Sequence, residues 1–375
     1  MHRSLSVLAG SALLLCAVPL TAQEQSRSLD LTVNDVGISI GDSRRTVGLR
    51  LNYRDRRLEE AIGVNATIWT PYEANGVVRG IALGLPATGA RRVEGLGVGI
   101  FGVGAEESLR GISVGGLGVG AGEEVRGLAI GGLGVGAGGA IRGVAIGGLG
   151  AGAGGEVTGV TVGGLGAGVG GSFLGLGVGG LGVGVGGTAN GVLIGGLGAG
   201  VGGSATGVLV GGIGSGVGGE FTGIGIGGVG IGAGGRITGL TIAGIGVGAG
   251  GGMEGVQLAG IAIGSGGPLR WLSIAGIGIG ASSIEGAAIA TTVGAHNVSG
   301  FVLAPAYFRI QETGTMNGFN VSAFNHVKGT QQGLALGILN YARVIDGVQV
   351  GILNYAANKS PGTRLLPIIN IARGN

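Results

Sequence analysis

The sequence predicts an all-β protein, a repeat β-solenoid with about 16 residues per coil, capped at both ends. Three observations predict it. A sixteen-residue sentence, such as Val125 to Ala140 (VRGLAIGGLGVGAGGA), recurs nine times between Leu109 and Gly252 with almost no loss of register. Inside each copy large apolar residues alternate with small ones at a spacing of two, the period of a strand. One copy has too few side chains to bury a core alone, whereas copies piled ~4.8 Å apart share a continuous interior.

Other architectures fare worse. Glycine supplies 98 of 375 residues, and each one inside a helix costs about 1 kcal/mol relative to alanine. Disorder is the second reading of such a composition, but the strict period opposes it. A transmembrane β-barrel is the standing alternative, since one repeat is long enough for a barrel strand of ~9–11 residues. Its lumen-facing positions would be polar, however, and here they are glycine. Aromatic girdles are also expected in a barrel, and aromatics make up only 4% of the chain.

The register is best followed from one glycine per copy, here called the slot: Gly111, Gly127, Gly143, Gly159, Gly175, Gly191, Gly207, Gly223, Gly239 and Gly255. Large aliphatics fall at the first, third, sixth and eighth positions after it, as in Leu128, Ile130, Leu133 and Val135. They are expected to stack as the internal columns. Between the third and sixth positions the phase slips at Gly131-Gly132, which calls for a corner or bulge that glycine permits.

Taken in order, residues 1–22 read as a signal peptide, with His2 and Arg3 ahead of an apolar segment and Leu20-Thr21-Ala22 as the cleavage site. The only cysteine, Cys16, lies inside it, without the small preceding residue expected for lipidation. Residues 23–47 form a lead-in and N-terminal cap strands. Residues 48–108 are irregular repeats, with slots at Gly48, Gly63, Gly80 and Gly95 and a charged, solvated loop from Arg54 to Glu60. The regular repeats cover 109–255, and degenerate repeats follow over 256–363, with slots at Trp271, Gly286, Gly300, Gly318, Gly333, Gly347 and Thr363. Residues 364–375 are the C-terminal cap.

The late copies read GLALGILNYA from Gly333 and GVQVGILNYA from Gly347, followed by PIINIA from Pro367. Over about 317–375 this resembles bacterial surface-repeat proteins of the kind catalogued in leptospires. The resemblance implies export to the cell envelope and carries no catalytic residues with it. Asn325, Asn340, Asn354 and Asn370 fall seven after their slots, where regular copies have Gly118, Gly134 and Gly150. A left-handed backbone would suit both residue types; a ladder of side-chain amides is the alternative, and it fits only the late copies.

No constellation carries chemistry. His296 and His326 have no third ligand for a metal, the GxGxxG matches are the repeat itself, and no triad or HExxH occurs. The reading is therefore not an enzyme, with no cofactor and no small-molecule substrate. The position before the slot is a polar edge column: Arg110, Arg126 and Arg142, then Thr158, Asn190, Thr206, Thr222 and Thr238. Three stacked arginines would repel, with Glu107, Glu123, Glu124 and Glu156 near enough to relieve them. With a net charge of +3 this is no nucleic-acid groove. An ice-binding array would need a second hydroxyl column, and Ser113, Thr161 and Thr241 are too scattered. What remains is Gly134, Gly150, Gly166, Gly182 and Gly198, which would make one face nearly bare backbone. That face is the candidate interaction surface, toward a second copy, another envelope protein or a membrane. The expected location is the cell surface, outer membrane or periplasm of a Gram-negative-type bacterium.

Overall fold

The computed structural model describes residues 28–372 apart from 72 and 74, so the expected signal peptide, 1–22, with Cys16, and the final three residues lie outside it. The architecture is the β-solenoid. Each regular coil has one long and one short strand, such as Glu124–Gly131 and Gly134–Ala137. Every strand pairs in parallel with its counterpart sixteen residues on: Arg126 with Arg142, and Val135 with Ala151. Two parallel stacks thus face each other across a thin interior. The corners are at Gly132-Leu133 and Gly138-Gly139, the first being the phase slip expected from the sequence.

Slot glycines align without a break from Gly48 through Trp271 to Gly318, and Gly37 adds an earlier one, paired with Gly48. Thr363 is not a slot. It ends the short 3-10 turn Pro361–Thr363, and the next strand, Leu365–Ile371, runs antiparallel along Val348–Ala356. At the other end Ser28–Val33 runs antiparallel to Val36–Gly41. Each terminal strand covers a parallel edge that would otherwise offer unpaired backbone groups.

The interior corrects the sequence reading. Buried side chains come two before, two after, eight after and ten after the slot, as Ile141, Ala129, Val135 and Ala137 illustrate. The aliphatics one, three and six after it point outward, leaving Leu133 50% exposed and Ile146 38%. Only the eighth-position column is internal as expected. Volume is matched within several coils: Phe173 sits with Gly177 and Phe221 with Gly225, while Ala189 sits with Leu193 and Ala205 with Leu209. A Cβ on Gly177 would lie 3.2 Å from the Phe173 ring and 2.8 Å from Leu193. Both members of each pair lie on one strand and point into the same interior, so a ring from one position takes up the room beside the other.

In the regular coils glycine is sterically required at the slot and at the corner. At the slot, Gly175 has φ +136°, and a Cβ there would sit 1.9 Å from the Gly159 carbonyl oxygen. At the corner, a Cβ on Gly164 would meet the Gly148 oxygen at 1.9 Å. Successive coils touch through bare backbone at both.

Candidate interaction surface

The proposed bare face exists, on the outer side of the short strands. Gly134, Gly150, Gly166, Gly182 and Gly198 point outward there, and a Cβ on any of them would stand 3.4–3.6 Å from the nearest atom. For their neighbours Gly136, Gly168, Gly184 and Gly200 nothing lies within 4 Å. None of these glycines has a positive φ. Side chains would fit, and no contact inside the molecule excludes them. Glycine in a strand interior weakens it, and often marks a place where another backbone approaches closely.

The opposite face is one the sequence reading missed. Outside the long strands, the first and third columns form parallel stripes, including Val192 and Ile194, Ile224 and Ile226. At the corner beyond runs the sixth column, with Leu165, Leu181 and Leu197 about half exposed. Trp271 occupies a slot on this side with φ +80° and is 69% exposed. A run of exposed aliphatics this long is far beyond the scattered apolar residues of an ordinary surface.

The polar column borders that face. Arg110, Arg126 and Arg142 stack coil on coil, and one carboxylate serves all three: Glu124 accepts from Arg142 at 2.6 Å and Arg126 at 3.1 Å, with Arg110 at 3.8 Å. Burial pushes the Glu124 carboxyl up, but hydrogen bonds and charge from Arg126 and Arg142 outweigh it and hold it below its ordinary value. Glu107 instead faces Arg91 and Arg92. Thr206, Thr222 and Thr238 continue the column. Thr161 and Thr241, the second hydroxyl column of the ice-binding idea, are fully buried in the core.

At the two ends the interior turns polar. In the last coils Asn325 donates to Asn340 at 2.6 Å and Asn340 to Asn354 at 2.7 Å. The amide ladder, not the left-handed backbone, is therefore what these asparagines supply. Strand pairing puts them in the core column of Ile263, Ile279, Val293 and Phe308, one place inward of the bare glycines. Asn370 lies in the antiparallel cap, paired with Gln349, and its side chain donates to the Asn354 backbone carbonyl at 3.3 Å. The outward column beside the ladder holds Arg309, His326, Tyr341 and Tyr355. Tyr341 and Tyr355 stack at 5.3 Å and 5°, Phe324 stacks on His326, and the Tyr307 hydroxyl lies 2.9 Å from His326 Nδ1. Those rings cover one another's faces. Desolvation, aided by Lys328 and Arg309, lowers the His326 pKa. His296 does not share this column, which carries Gly294 at its level.

Near the N-terminus the charged loop is not wholly solvated. Asp55 and Leu58 are buried, and Asp55 pairs with Arg50, itself fully buried, which also reaches Asn65 at 2.9 Å and Asp42 at 3.3 Å. The loop plugs the first coils.

Fold and surface together define the class: a β-solenoid rod with one smooth glycine face and one aliphatic face. Comparison with family models, curated proteins and solved structures finds no match.

Proposed function

We propose that this chain is an exported, non-enzymatic cell-envelope protein whose two flat faces serve a structural or adhesive role. The observation that carries it is the set of outward glycines, Gly134, Gly150, Gly166, Gly182 and Gly198 with Gly136, Gly168, Gly184 and Gly200, that nothing within the chain requires. The leptospiral-type motif of the last coils supports the envelope as the location.

The test replaces Gly166, Gly182 and Gly198 with lysine together. Each position has room for the new Cβ, so circular dichroism should stay that of β-structure. Cell-surface retention should fall. Unchanged sedimentation and retention would remove the glycine face from the proposal. A rod held by its faces should leave the envelope fraction with salt or urea. A requirement for detergent, with insertion into lipid, would favour a pore instead.

A further inference from the structure

The aliphatic face is the larger unpartnered surface, and the column along its edge indicates its occupant. Strand pairing stacks this column continuously: Arg79, Glu94, Arg110, Arg126, Arg142, then Thr158, Leu174, Asn190, Thr206, Thr222, Thr238, and finally Glu254, Arg270, Glu285. The first three charges read plus, minus, plus. The last three read minus, plus, minus. Turned end for end, one triplet is the complement of the other.

We propose that two copies of the chain pair face to face through the aliphatic stripes, as an antiparallel two-fold dimer. The proposal rests on the reading above that the rod acts through its faces. A two-fold axis parallel to the strands lays each column against the same column of the second copy. With the axis between the coils of Leu174 and Asn190, Arg79 opposes Glu285, Glu94 opposes Arg270 and Arg110 opposes Glu254, each occurring twice by symmetry. Arg126 then meets Thr238 and Arg142 meets Thr222, so no like charges meet in the column.

The register that pairs the triplets is also the one in which the rods overlap along nearly their whole length. Counted by slots, the axis falls midway between Gly37 and Gly333. At ~4.8 Å per coil and ~3.3 Å per residue, the stripes offer on the order of 1,000 Å² on each copy. A stable interface needs about 800 Å² per partner. Matching periodicity adds to this, because ridges repeating at the strand spacing interdigitate with ridges of the same repeat. A bilayer would take the apolar stripes but has no use for charges in mirrored order.

Sedimentation of the full chain tests the dimer, and single thiols test its register. The wild type should sediment at twice its chain mass at ~1 µM, and Ile194→Lys, on an outward stripe next to the axis, should weaken the dimer by at least ~100-fold. In a Cys16→Ser background, Asn190→Cys lies about one coil from its symmetry mate and should be joined by a short thiol cross-linker. Thr238→Cys, about seven coils or ~34 Å from its mate, should not. A monomeric wild type, an Ile194→Lys dimer as tight as the wild type, or cross-linking of Thr238→Cys as readily as of Asn190→Cys would overturn the proposal. So would binding of the monomer to vesicles of anionic phospholipid in place of self-association. Such a failure would leave the glycine-face reading untouched, since that is read on the opposite side by cell-surface retention.

Discussion

The regular middle and the last coils run the same backbone stack with different contents. In the middle, the short strand contributes Val135 or Val183 inward and bare glycine outward. In the last coils the equivalent strands contribute Asn325, Asn340 and Asn354 inward, and His326, Tyr341 and Tyr355 outward. One interior is held by packing alone and the other by an amide chain. The comparison teaches that coil stacking does not depend on either content. Backbone pairing and the tight glycine column carry it in both, and what each region displays is free to differ. The bare face is therefore particular to the middle, while the end coils wear an aromatic ladder in its place.

Four changes would break or sharpen this comparison. The largest effect belongs to what the regions share. Gly175→Val places a Cβ against the Gly159 oxygen at a positive φ, and should cost about 3–5 kcal/mol in denaturant unfolding. A loss below 1 kcal/mol would mean the slot is not a steric requirement. Next comes the content of the last coils. Asn340→Val strands Asn325 Nδ2 and Asn354 Oδ1 without each other's bridge, at about 2–3 kcal/mol. Replacing all three asparagines with valine should cost far less than the sum of the three single changes, because the triple variant recreates the middle's interior. Strict additivity would refute the ladder.

A smaller effect attaches to the arginine column. Glu124→Gln removes the carboxylate shared by Arg110, Arg126 and Arg142, and should cost about 1 kcal/mol at low salt, shrinking as salt is added. The smallest is a change of sign: Gly168→Ala, with open space around its Cβ, should be neutral or stabilising by ~0.5 kcal/mol. Destabilisation there would show an internal need for the bare face.

The end coils should also respond to pH in the histidine range, whereas the regular repeats, 109–255, contain no histidine. Desolvation, with Lys328 and Arg309, sets the folded pKa of His326 below its ordinary value, so the unfolded chain binds the proton more readily. Stability then rises with pH and is complete above the ordinary histidine value of about 6.5. It is lost progressively as acidification proceeds below that value. Urea unfolding followed by tyrosine fluorescence should show this loss in the wild type and not in His326→Phe.

The sixteen-residue period, the strand spacing of two and the glycine-marked corner were all readable along the chain, because backbone geometry imposes them on every copy in the same way. So were the outward glycines and the glutamate–arginine grouping, which follow from period and charge. Which of two alternating phases lies inside was not readable. A period of two has two faces, and size alone assigned the larger aliphatics, Leu128 and Ile130, to the core. Closure of the coil decided otherwise, since the narrow interior takes the Phe173 ring where Gly177 leaves room for it and Leu193 where its strand neighbour is Ala189. The asparagines were misplaced for a related reason. A corner one residue shorter in the last coils shifts the count from the slot, so equal positions in the sequence are not equal positions in the stack. Composition and period thus determined that the chain coils. Only the closure of the coil around a narrow interior determined which residues it shows.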